Sequence, residues 1–348
     1  MRRLALAISF LGLAACGKNI GGGGGGGQGQ PDGGTADVPP LQGTDYSLQW
    51  GPITVPADTE DTQCVILKLS NAAEIKVHQL HNVLGTGSHH MIIYKDDMDT
   101  VEQPTPQDCQ PFTGALNTSG MVAPLMITQK SDDELTLPDG VAYTLNPNQM
   151  IRIELHYINA TDSPISLMAT ADFYAADPAT INNEAAILFI GSPDISLPPN
   201  VMTTLHEFFT PSRASLDLST AKFFAITGHE HHLGTDVQIN TAPSATGTMT
   251  PIYTPDPFLW SEPVTTTFNP EFTVPTGSGF DFTCTWFNSE TSTVQFGESA
   301  NDEMCFFWAY YYPSKGAHVC IHTDQFAGVD ICCPDAGAQL CSMLIPNN

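Results

Sequence analysis

Positive charge is scarce in this 348-residue chain: 11 Lys and Arg stand against 37 Asp and Glu, a net charge of −26. Phosphate backbones are held by clustered Lys and Arg, so a nucleic-acid-binding role is excluded. The acidity itself reads as solubility and surface repulsion, and no acidic site is inferred from it. Long apolar runs are also missing. The stretch Leu4 to Leu13 is too short to cross a bilayer as a stop-transfer helix. Long periodic helices are absent, with 27 prolines and 29 glycines spread along the chain. None of the nine cysteines shows C-x-x-C spacing, which makes a zinc–thiolate site a poor second reading.

What is there begins with MRRLALAISFLGLAACG. A short basic start, an apolar run and small residues before Cys16 read as a secretion signal over residues 1–15. An ordinary signal peptide or a buried N-terminal helix is the plainer alternative. The stretch resembles the bacterial lipoprotein signal, in which the cysteine is lipidated and becomes the new N-terminus. That resemblance implies a lipid anchor at Cys16 as the sole membrane contact. With Gly17 next, it implies the outer membrane or the cell surface. Removing the signal takes Arg2 and Arg3 with it, leaving 9 basic against 37 acidic residues, or −28. Residues 16–43 hold the glycine run Gly21 to Gly27 and read as a tether, whose Gly-rich stretch reaches roughly 30 Å. Beyond Cys16, eight cysteines remain, an even number that implies disulfides in an exported chain.

From Thr44 onward, short alternating runs predict an all-β protein of antiparallel sandwich type. They are CVILKLS (64–70), HMIIYK (90–95), MIRIELHYIN (150–159), AAILFIG (185–191), AKFFAITGHEHH (221–232), GFDFTCTWFN (279–288) and EMCFFWAYYYP (303–313). DPATINN (177–183) suggests a boundary between a first domain, 44–178, and a second, 179–320. The four cysteines from Cys320 to Cys341 predict a stapled irregular tail, 321–348.

Histidine supplies the chemistry. GHEHHLG (228–234) packs three histidines into four positions. On a regular strand His229 and His231 share one side, while Glu230 and His232 face away. Such a pair can share a metal or simply be two hydrogen-bonded imidazoles. GSHHM carries His89 and His90, which can meet one metal only if the backbone bulges there. Core packing is an equal reading. In IRIELHYIN, His156 sits with Arg152 and Glu154 on the face away from Ile151, Ile153 and Leu155, where an outer polar residue is the default. Met304, in NDEMC, is either core filler or a thioether ligand, which favours Cu(I).

In this order the stretches resemble the type II, ascorbate-dependent copper monooxygenases, peptidylglycine α-hydroxylating monooxygenase and dopamine β-monooxygenase. The resemblance runs from about residue 46 to 313. It is carried by SLQWGPITVPADTEDTQC, GSHHMIIY, LPDGVAYTLNPNQMIRIELHY, HEHHLG and DEMCFFWAYYYP. It implies two copper ions per chain, one per domain, facing each other across a solvent-filled cleft. His89, His90 and His156 would form the electron-storing site. His229, His231 and Met304 would form the catalytic site for O₂ and substrate, with ascorbate or another one-electron donor as co-substrate. It also implies the disulfides Cys64–Cys109 and Cys284–Cys305. The last four cysteines admit three pairings.

The chain departs from the peptide-amidating members of that family. Thr227 stands where they carry an arginine for the substrate carboxylate. Phe306 and Trp308 replace an asparagine and a tyrosine, and Glu154 a glutamine. A partly buried carboxylate needs a cation or several donors, so a peptide carboxylate is a poor substrate. Phe306, Trp308 and Tyr310 suggest an apolar or aromatic wall for a small organic molecule, although strand aromatics are more often core. Two other readings stand beside the enzyme: a surface lipoprotein that scavenges copper, and an adhesive sandwich with incidental histidines.

Overall fold

The computed structural model describes residues 45–109, 121–212, 216–297, 299–324, 329–335 and 341. Cys16 and the expected signal and tether lie outside the described residues. The described part is built of strands, with one short 3-10 turn at Pro178–Thr180, inside the stretch that suggested a boundary. Asp177 caps that turn by accepting from the Ala179 amide.

Four main sheets form two sandwiches. In the first half a six-stranded sheet packs on a five-stranded one, whose central strand is Met150–Asn159. That strand lies between Thr59–Lys68 and Ser88–Asp96, both antiparallel to it. In the second half a six-stranded sheet packs on a four-stranded one. Asn183–Glu184 reaches back to pair with Val141–Ala142, so the link between the halves joins the first half's six-stranded sheet.

The second half's six-stranded sheet explains the run FFWAYYY. Side chains alternate across a strand, yet every residue of Phe306–Tyr312 is buried. Phe307, Ala309 and Tyr311 fill the core of the second sandwich. Phe306, Trp308, Tyr310 and Tyr312 face the other way, into a core shared with the first sandwich. A strand covered on both faces reads as a continuous apolar run rather than an alternating one. Burying an aromatic of this kind contributes about 3–5 kcal/mol against truncation to alanine. The Ile127 amide of the first sandwich donates to the Tyr310 hydroxyl at 3.1 Å, fixing the register of the two faces.

Disulfides join Cys64 to Cys109 and Cys284 to Cys305. Closing the loop between Cys284 and Cys305 contributes about 3 kcal/mol in the chain-entropy description. The last four cysteines pair as Cys320–Cys332 and Cys333–Cys341. Four bridges are what an oxidising, exported setting allows. Among the described residues, the tail is not the irregular segment its cysteines suggested. His318–Thr323 and Val329–Cys333 form an antiparallel pair that extends the six-stranded sheet, and Cys320 and Cys332 face each other within it.

Candidate metal centres

The first group is set by sheet register. His90 and His156 are direct partners on neighbouring strands. The pairing slips by one residue between Ser88 and His90, which is the bulge that lets adjacent His89 and His90 turn to the same place. The ring centroids lie 5.5 Å apart for His89–His90, 5.2 Å for His89–His156 and 5.0 Å for His90–His156. Ligand atoms of the three all fall within 4.8 Å of one another, and no other such His, Cys, Asp and Glu group occurs among the described residues.

The face carrying Arg152, Glu154 and His156 is not the outer polar face expected. Glu154 is fully buried and accepts from the Tyr94 hydroxyl at 2.9 Å, and His156 is only 4% exposed. Burial, then the neighbouring His156, pushes the His89 pKa down to about 3, and burial holds His90 well below its usual range. These rings are neutral at ordinary pH, with lone pairs available to a cation. The buried Nε2 of His89 has no hydrogen-bond partner.

His156 Nε2 lies 3.1 Å from Glu60 Oε1. This contact, more than any other, holds the Glu60 carboxyl down to about 2. An ionised carboxylate only accepts, so His156 Nε2 is the donor in this contact.

The second group is assembled differently. The strand expected over residues 221–232 stops at His229. The reason is local. His231 O accepts from the Gly234 amide at 3.0 Å, closing a turn. The Glu303 carboxylate takes the amides of His231 and Leu233 at 2.9 and 2.7 Å, so neither can join a ladder. The turn still brings His229 and His231 together, with ring centroids 5.1 Å apart. A Cβ on Gly234 would meet the Glu230 carboxylate at 2.3 Å, so glycine is what makes room for that side chain.

Each ring of the pair is anchored through Nδ1. His229 Nδ1 meets Gln129 Oε1 at 3.0 Å, and His231 Nδ1 meets the Asp302 carbonyl at 3.0 Å. Both acceptors are carbonyls, so Nε2 is the bare nitrogen in each ring. In His229 that nitrogen is buried without a hydrogen-bond partner. Burial, the largest cause, lowers the His231 pKa to about 4 and holds His229 well below its usual range. A buried lone pair with nothing to accept, on a ring fixed through its other nitrogen, is the donor set a metal ligand presents. Met304 is 3% exposed. Phe306, two residues after Met304, pairs with His229.

Among the described residues, the two groups lie side by side rather than across a solvent-filled cleft. His89 and His231 have ring centroids 6.4 Å apart, and the shared apolar core closes the sandwiches on each other beside them. Trp260 packs near both halves, 5.7 Å from His89 and 6.4 Å from His232.

The residues expected to form a substrate wall lie here but are packed. Thr227 Oγ1 sits 2.8 Å from Thr265 Oγ1. Phe306 stacks on Phe189 at 5.1 Å, and the Trp308 ring is 6.0 Å from that of His229. Glu60, Gln129, Asp302, Glu303 and Trp260 carried no signal in the sequence. Most of them reach their histidines only through the folded chain, Glu60 across 96 positions and Gln129 across 100.

No curated protein matches this chain. Among solved structures, the major capsid protein P2 of bacteriophage PM2 is 10% identical over 78% of this chain and 99% of its own, with a TM-score of 0.34. The PBSX exported protein XepA is 10% identical over 76% of this chain and 86% of its own, at 0.19. Likenesses this slight carry no argument. Residues 183–327 match the family described as copper type II ascorbate-dependent monooxygenase, C-terminal domain, a span that includes His229, His231 and Met304. The second half of the chain is thus similar to the C-terminal domain of the copper type II ascorbate-dependent monooxygenase family.

Proposed function

We propose that this protein is a copper-dependent monooxygenase that hydroxylates a C–H bond of a small organic substrate, using O₂ and an external one-electron donor such as ascorbate. One observation carries the reading furthest. Outside the matched domain, His89, His90 and His156 bring their ligand atoms within 4.8 Å of one another. They would hold one copper ion, and His229, His231 and Met304 the other. Bound copper supplies the oxygen activation and one-electron chemistry that side chains lack.

The chain's own residues prepare for it. Burial keeps the His89, His90, His229 and His231 imidazoles neutral, and Glu60, Gln129 and the Asp302 carbonyl each orient a ring. A thioether at only one group biases that group towards Cu(I). Thr227, Phe306, Trp308 and Tyr310 carry no positive charge, which favours an apolar or aromatic substrate over a peptide carboxylate. With His229 and Trp308 each 2% exposed, substrate reaches them only when the facing surfaces part.

Copper retained after dialysis and oxygen uptake with reductant test this together. The expectation is two coppers per chain, with Met304→Ile weakening Cu(I) binding at one of them by about tenfold. Uptake should couple to product with some member of a panel of benzylic amines, alcohols and lipids. Uptake that never couples to product favours copper scavenging, and a protein that retains no copper overturns the reading altogether.

A further inference from the structure

The two histidine groups are connected by a segment that belongs to neither. On one side, a single oxygen, Glu60 Oε1, accepts from His156 Nε2 at 3.1 Å, the Ala300 amide at 2.9 Å and the Ser299 hydroxyl at 3.5 Å. On the other, the Ala300 carbonyl accepts from His232 Nδ1 at 2.6 Å and the Asp302 carbonyl from His231 Nδ1 at 3.0 Å. Carboxylates and carbonyls accept only, so every ring in this chain of contacts is a donor at the named nitrogen. His231 is left with Nε2 bare.

An exposed carboxylate beside a histidine is ordinarily a weak surface pair. Two features set this one apart. The His156 side chain is only 5% exposed, against 27% for Glu60, so the contact caps a buried ring. The same oxygen also binds a backbone amide 240 positions away, which locates a piece of the opposite sandwich. Ala300 and Asp302 are two residues apart, so the carbonyls that orient His232 and His231 move with the amide that Glu60 holds.

We propose that Glu60 is a positioning residue for both histidine groups, holding the His156 ring directly and the His231 ring through the backbone of residues 299–303. The ring-positioning part stands on these contacts alone; its consequence for metal binding rests on the copper reading above.

The test uses ¹⁵N NMR of the histidine ring nitrogens in the metal-free full chain, followed by copper titration. Glu60→Ala is expected to shift the ring signals of His156, His231 and His232 together. Glu60→Gln keeps an acceptor oxygen at the same reach and should restore all three. Glu60→Asp keeps the charge but loses the reach and should behave as Glu60→Ala does, in a side chain close enough to native to preserve folding. Copper affinity should fall about tenfold at both sites in the Ala and Asp variants and stay near wild type in the Gln variant. Shifts confined to His156 overturn the proposal, as does a Gln variant as disturbed as the Ala variant. If wild-type protein binds no copper yet Glu60→Ala moves all three rings, the copper reading fails and this one stands. If wild type binds two coppers and His231 is unmoved in Glu60→Ala, only this one fails.

Discussion

The first histidine group is made by a sheet and the second by a turn. His90 and His156 face each other across one ladder, and a one-residue bulge adds His89. The second group begins where a strand gives out, and its rings are held from elsewhere: His229 by Gln129 of the first sandwich, His231 by a backbone carbonyl. A group built on register carries its own geometry, because moving one histidine means moving a central strand. A group built at a turn depends on what is packed against it. The second group should therefore be the more sensitive to changes made at a distance, and the first the more sensitive to changes in its own ladder.

Removing a ring from each group is the largest test of that difference. His229→Ala should cut product formation by more than about a hundredfold while the first group still holds copper, and His156→Ala should do the reverse for metal content with a comparable loss of product. Copper stoichiometry beside coupled oxygen uptake reads both. A loss of both coppers in either variant would mean that the groups are not separable.

Gln129→Leu sharpens the comparison from the other sandwich. It removes the acceptor that orients His229 and leaves the ladder of the first group untouched. Copper affinity should fall about tenfold at the second group alone. An equal loss at the first would erase the distinction between sheet-built and turn-built sites.

The smallest effect lies outside both groups. His322 bridges Glu207 and Asp330, and the hydrogen bond to Glu207 raises its pKa above the usual 6.5. The folded state then holds this proton more tightly than the unfolded one. Its stabilisation is complete below about pH 6.5 and fades as pH rises through the raised value. In His322→Gln the unfolding midpoint should lose that part of its pH dependence, with copper binding at either group unchanged.

Much of this was legible in the sequence. MIRIELHYIN is the strand Met150–Asn159 residue for residue, and the paired histidines required the bulge that the ladder shows. HEHHLG was legible as a pair but not as a turn. Its strand ends because Glu303, some 70 positions away, takes the two amides a ladder would need. The alternation in IRIELHY suggested an exposed face because periodicity marks the two sides of a strand without saying what covers either. Glu60 and Gln129 were invisible for a related reason. A lone acid or amide has no spacing to its partner until the chain has folded.

Phe306, Trp308 and Tyr310 stand in the core that the two sandwiches share, with the Trp308 ring 6.0 Å from that of His229. How closely the sandwiches meet there is then a matter of side-chain volume, held the way a shim holds a gap. A substitution in this layer that leaves every histidine in place still alters how closely the two sandwiches meet beside His229.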